Sequence, residues 1–131
     1  MAATPTRPLS PHLTIWRWGP PMAVSILHRV TGAALSIAGL AVLTWWLMAL
    51  ATGPEAYAGF ARAAASPLGL VVLVGLTWSF FQHLLSGIRH LIMDTGQGFE
   101  LGVNKTMAIL TIVGSLILTA LVWFYLLGGA R

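Results

Sequence analysis

The composition of this 131-residue chain excludes an ordinary water-soluble fold. Of its residues 57% are hydrophobic and only 8% are charged, whereas soluble domains carry about one quarter charged residues. The net charge of +4 does not indicate nucleic-acid binding, since the seven Lys and Arg residues are spread singly among apolar segments. The length suits one compact helical bundle without a separate catalytic domain. With no cysteine present, histidine is the only strong transition-metal ligand.

Residues 1–21 form a polar, proline-rich arm that contains Trp16 and Trp18. Tryptophan is enriched at the membrane–water interface, so we predict that the arm lies at a membrane surface. It has neither the short apolar stretch of a cleaved signal peptide nor the amphipathic pattern of a mitochondrial transit peptide. A bacterial inner membrane is therefore the simplest location.

Three apolar segments follow the arm, and each is long enough to cross a hydrocarbon core of about 30 Å. They are predicted at about residues 24–50, 67–93 and 105–128. The links between them are too short to form a domain. We therefore predict an all-α integral membrane protein with three transmembrane helices, in which residues 1–131 are a single membrane-anchor domain.

The positive charges predict the orientation of these helices, because Lys and Arg are more frequent on the cytoplasmic side of a membrane protein. We accordingly expect a cytoplasmic N-terminus and a periplasmic C-terminus, with only Arg62 and Arg131 on the outer side. The residues on the predicted inner side are Arg7, Arg17, Arg29, Arg89 and Lys105.

Small and polar residues of the first span recur at intervals of three and four, which places them on one helical stripe that is predicted to face protein. For the small residues, helix packing is the simpler interpretation. Arg29 has two interpretations, since an arginine near a helix end either extends to the interface or serves a functional site. The stripe consists of Ser25, Arg29, Gly32, Ser36 and Gly39.

His83 is the most informative residue of the second span, where it shares a stripe with Gly87, His90 and Asp94. It lies eleven residues from Asp94, or about 16 Å along the helix axis, and hence inside the hydrocarbon. A buried histidine must place both ring nitrogens, either in a hydrogen bond to a neighbouring helix or on a metal. Gly87 leaves room beside the ring for a flat cofactor such as haem.

If His83 binds haem iron, the second axial ligand must come from another chain. His90 is on the same helix, His12 lies in the arm, and His28 is expected to be level with His90 rather than with His83. The anionic haem propionates would point toward the inner side, where donors and positive charges are concentrated. Those groups are His28, Arg29, Arg89 and His90.

Three ordered motifs resemble a known family: RPLSPHLTIW at Arg7 to Trp16, SILHRVTG at Ser25 to Gly32, and HLLSGIRHLIMD at His83 to Asp94. Together they resemble the cytochrome b anchor subunit of succinate dehydrogenase, respiratory complex II. The resemblance covers most of the chain, with the third span alike only in hydropathy. Trp16 stands where the family usually has tyrosine, at the membrane surface and away from any site.

The resemblance implies a four-chain enzyme. A flavoprotein subunit oxidises succinate, an iron–sulfur subunit carries electrons, and two small membrane anchors hold haem b and ubiquinone. This chain resembles the larger anchor, with no catalytic activity of its own. By resemblance, the metal ligand is His83, and His28 and His90 lie near the haem propionates. Ser25 and Arg29 resemble residues that line the quinone pocket, and Asp94 resembles a residue associated with proton delivery to it.

Three alternatives stay open. Instead of a haem-binding anchor, the chain would be a haem-free quinone-binding anchor, a purely structural anchor, or a small transporter subunit in which Arg29, His83 and Asp94 form a proton relay. Against the transporter, the sequence shows no internal repeat and predicts no broken helix. We also expect no polar group of the third span to complete a path.

Overall fold

The computed structural model describes residues 18–128, and every regular element in that range is helical. The predicted arm motif at Arg7 to Trp16, with His12, lies outside the described residues. The elements are α1 (Pro20–Ala34), a π-helical segment (Leu35–Gly39), α2 (Leu40–Thr52), α3 (Pro54–Ala65), α4 (Pro67–Asp94) and α5 (Leu101–Gly128).

Three helices are long and apolar enough to cross a membrane, which confirms the predicted fold class. The first span joins α1, the π-helical segment and α2 into one helix at Pro20–Thr52 with a mean hydropathy of 1.9. The second and third spans are α4 and α5, with mean hydropathies of 1.7 and 2.3. Each exceeds the roughly 20 residues that a bilayer requires. The short α3 connects the first two spans.

Proline and serine set the helix starts between the first two spans. Pro54 begins α3 and Pro67 begins α4, positions where the missing N–H and the fixed φ of proline suit a helix start. The Ser66 hydroxyl accepts a hydrogen bond from the Gly69 amide at 3.1 Å and caps α4. Gly53, with a φ of 128°, makes the turn from α2 to α3, a conformation that glycine tolerates best.

The bundle is polar inside and apolar outside, the reverse of a soluble protein. Among the described residues the buried hydrophobic side chains are Val24, Ala49 and Ala108. The α4–α5 interface buries mainly polar groups, and the Ser115 hydroxyl donates to Oε1 of the fully buried Gln82 at 2.8 Å. Helices associate in lipid through close packing and polar bonds, because apolar side chains gain nothing by leaving the lipid. The buried polar side chains are Thr31, Ser79, Gln82, Ser86, Arg89, Thr111, Ser115 and Thr119.

Two expectations about polar residues need correction. The third span does offer polar groups, since Thr111, Ser115 and Thr119 are buried against the rest of the bundle. On the first span, Arg29 and Ser36 are exposed, so the predicted stripe does not face this chain's other helices throughout. Ser36 lies in the π-helical segment, whose wider turn interrupts the spacing of three and four on which the stripe depends.

Candidate functional site

Three histidines gather where the first span meets α4. The rings of His28 and His83 stack with centroids 3.9 Å apart and planes 10° apart. The His90 ring meets His28 edge-on, at a centroid distance of 5.5 Å. The expectation that His28 is level with His90 rather than with His83 is therefore wrong. His28 lies opposite Gly87 of α4, and Gly87 is about one helical turn from both His83 and His90. The His28 ring therefore contacts both of these histidines.

The hydrogen bonds of His83 define its free nitrogen. Its Nδ1 donates to the backbone carbonyl of His28 at 3.0 Å and lies 3.4 Å from the Thr31 hydroxyl. A carbonyl oxygen only accepts, so Nδ1 carries the hydrogen and Nε2 keeps a lone pair. Metal-ligating histidines are commonly oriented in this way, with the second nitrogen donating to a carbonyl or carboxylate. His83 is thus prepared to coordinate a metal through Nε2.

Gly32 allows this close approach of the two helices. A Cβ atom at position 32 would lie 2.9 Å from Cε1 and 3.3 Å from Nδ1 of His83. The sequence analysis assigned the role of making room to Gly87, where a Cβ would meet only Cε1 of His28, at 3.9 Å. The glycine at which a side chain would clash with His83 is therefore Gly32, on the facing helix. No pattern within α4 reveals this contact.

Ser86 is a site residue that the sequence analysis missed. It is buried, its Oγ lies 2.6 Å from Nδ1 of His28, and its hydroxyl donates to the His83 carbonyl at 3.1 Å. The available signal was a hydroxyl three residues after His83 in an otherwise apolar turn. Without knowledge of the facing helix, that hydroxyl was indistinguishable from a packing residue.

Arg89 does not face the histidines. Its side chain is buried at 6% exposure and donates to Oδ1 of Asn104 on α5 at 2.5 Å. The expectation that Arg89 supplies charge beside haem propionates is therefore wrong. The reason is helical periodicity, because six residues after His83 correspond to a rotation of about 240°, whereas the seven residues to His90 almost complete two turns.

The other predicted site residues occupy the same end of the bundle. Ser25 is half-buried and Arg29 is exposed, and they flank His28 on α1. His90 and Asp94 are exposed in the last two turns of α4, on the side of His83. Their predicted roles in binding haem propionates and quinone stay predictions.

A single histidine ligand suits a metal that is already held by a cofactor. Among residues 18–128 no group of three or more metal-binding side chains is arranged to hold an ion. Haem supplies four nitrogen ligands of its own and needs only axial ligands from protein. The free Nε2 of His83 fits one of those positions.

Comparison with known proteins identifies relatives over nearly the whole chain. The family described as succinate dehydrogenase/fumarate reductase transmembrane subunit matches residues 3–122. A succinate dehydrogenase cytochrome b556 subunit from Paracoccus denitrificans is 42% identical over 115 residues, covering 88% of each chain. The b556 subunit from Rickettsia felis is 38% identical over 117 residues, covering 89% of this chain and 90% of the relative.

A mitochondrial relative extends the comparison to animals. The succinate dehydrogenase cytochrome b560 subunit from Homo sapiens is 36% identical over 121 residues, covering 88% of this chain and 71% of the relative. Together with the three apolar helices, the bacterial relatives identify a multi-pass protein of the bacterial inner membrane. The chain belongs to the succinate dehydrogenase/fumarate reductase transmembrane subunit family.

Proposed function

We propose that this chain is a membrane anchor of a succinate:quinone oxidoreductase, which binds haem b together with a partner anchor chain and forms part of the ubiquinone-reduction site. The other proposed partners are an iron–sulfur subunit and a flavoprotein subunit. The chain contributes to an enzyme complex without catalysing a reaction alone. The names of the three relatives described above, each a cytochrome b subunit of succinate dehydrogenase, support this proposal.

The observation that carries the haem assignment is the hydrogen bond from Nδ1 of His83 to the His28 carbonyl at 3.0 Å. It leaves Nε2 as a ligand in a half-buried position within the span. When bound, haem supplies an iron that accepts and returns single electrons. The partner anchor would supply the other protein ligand to this haem, since His28 stacks flat on His83 and His90 is on the same helix.

For the haem propionates we propose His90 and Arg29 as donors. Both are exposed at the end of the bundle that contains Asp94, where anionic carboxylates would reach the membrane surface. Arg89 is left out, because its guanidinium bonds to Asn104 between α4 and α5.

The quinone pocket is proposed beside the same end of α1. Ser25 would donate a hydrogen bond to a quinone carbonyl, and Arg29 would offset the negative charge that develops as the quinone accepts electrons. Asp94, exposed at the last residue of α4, would pass protons inward from water. These roles require this end of the bundle, and with it the N-terminus, to face the cytoplasm. The C-terminus would then be periplasmic.

A reduced-minus-oxidised visible spectrum of the purified complex tests the haem assignment. We expect a b-type spectrum in the wild-type complex and loss of most bound haem in His83→Ala, at an unchanged content of all subunits. The matched control is Gln82→Leu, because the adjacent Gln82 is directed toward α5 and should not affect haem. A wild-type complex without haem, or a His83→Ala complex with normal haem, would contradict the assignment.

A further inference from the structure

A closed loop of three hydrogen bonds surrounds the stacked histidines. Nδ1 of His83 donates to the His28 carbonyl at 3.0 Å, the Ser86 hydroxyl donates to the His83 carbonyl at 3.1 Å, and Nδ1 of His28 lies 2.6 Å from Ser86 Oγ. The loop connects the His83 ring to the backbone of α1 and the His28 ring to a side chain of α4. Two long helices are thereby joined at the candidate ligand.

The acceptors fix the direction of the bond made by His83. A carbonyl oxygen can only accept, so Nδ1 of His83 carries its hydrogen and Nε2 keeps a lone pair. The contact between His28 and Ser86, the shortest of the three, joins a ring nitrogen to a hydroxyl, and each of these groups can donate or accept.

This arrangement limits how the His28 ring can move. The ring lies flat against His83, with 10° between the planes. The backbone at Gly32 lies against Cε1 of His83, and even a methyl group at position 32 would lie only 2.9 Å from that atom.

We propose that Ser86 and His28 are positioning residues for His83: Ser86 fixes the His28 ring, and the stacked His28 ring fixes the plane of His83. The inference rests on the proposed function, because the plane of the ring matters only if His83 coordinates haem. Groups that orient an axial ligand tune the electronic structure and the potential of the metal.

The test uses the purified whole complex and compares Ser86→Ala with Ser86→Thr, which keeps the hydroxyl. Two properties of the bound haem are measured: the midpoint potential, and the low-spin electron paramagnetic resonance signal, whose g values report the planes of the axial ligands. We expect Ser86→Ala to bind haem with a broadened, shifted signal and an altered potential, and Ser86→Thr to keep the wild-type values. Ser79→Ala, which removes another buried serine of α4, is the control and should change neither.

A second variant, His28→Phe, keeps a flat ring against His83 but removes the nitrogen that bonds to Ser86. We expect it to reproduce the shifted signal and potential of Ser86→Ala. If Ser86→Ala fails to assemble, a wild-type signal in His28→Phe would overturn the proposal. A change in His28→Phe without one in Ser86→Ala would also overturn it, since His28 would then act without Ser86.

The two levels of inference fail in different ways. A wild-type complex without haem would contradict the proposed function. A wild-type complex with haem whose signal and potential are unchanged in Ser86→Ala would contradict only the positioning roles of Ser86 and His28.

Discussion

The two interfaces of α4 use polar residues in different ways. Against α5, the polar groups are sealed: Gln82 and Ser115 are fully buried and bond to each other, and Arg89 bonds to Asn104. The unpartnered atoms in that interface are N–H donors such as Nε2 of Gln82 and Nε of Arg89. Against the first span, half-buried His83 keeps Nε2 with an unused lone pair.

This difference separates a structural interface from a binding site. A metal needs a lone pair, which an N–H donor cannot supply, and a cofactor needs an opening, which the α4–α5 interface lacks around Gln82 and Ser115. Polar residues inside a membrane protein are therefore not sufficient evidence of function. What indicates a site is unused bonding capacity of the right kind in an accessible place.

The largest effect that would test this comparison is expected from Gly32→Ala. The new methyl group would lie 2.9 Å from Cε1 of His83 and force the ring from its position, so we expect loss of most of the bound haem. Gly39→Ala is the matched control, because the nearest neighbour of its methyl group would be Cδ2 of Leu35, at 3.7 Å. Haem content per complex, measured by the pyridine haemochrome spectrum, decides the result. Equal haem content in both variants would mean that this interface tolerates displacement and is not a ligand site.

A second effect is expected at Arg29, which is exposed on α1, whereas Arg89 is buried between α4 and α5. Arg29→Ala should lower succinate:ubiquinone activity about tenfold or more, since bonds to charged groups contribute about 1.5–3 kcal/mol, while succinate oxidation by a soluble artificial acceptor is preserved. The rates with the two acceptors are measured on the same preparation. Equal loss of both activities would show that Arg29 supports assembly instead of the quinone site.

The smallest effect is expected at the sealed interface. Asn104→Ala leaves the buried Arg89 guanidinium without this acceptor, which should destabilise the complex by about 1–3 kcal/mol. Thermal unfolding of the detergent-solubilised complex measures the loss, and the haem spectrum should not change. The double variant Arg89→Met with Asn104→Leu should recover stability, because apolar pairs often replace buried polar pairs without loss. A changed haem spectrum in Asn104→Ala would connect this interface to the site and weaken the comparison.

Much of the fold followed from composition alone. Long uncharged segments cross a bilayer because each backbone group must bond within its own helix there, and three such segments predicted three spans. Helical periodicity likewise grouped His83, His90 and Asp94 on one side of α4. The same periodicity, applied to Arg89, would have placed it on a different side of the helix, so that error was avoidable from the sequence.

Other features of the site were decided only by the tertiary structure. Periodicity determines which residues of one helix share a face, but it carries no information about which residue of the next helix lies opposite. That register depends on where two long helices approach closely, and here the approach is set by Gly32 against His83. The stacked position of His28 and the bonds of Ser86 follow from this contact. The sequence thus determined that a histidine lies within the membrane, and the packing of two helices decided which of its nitrogens stays free.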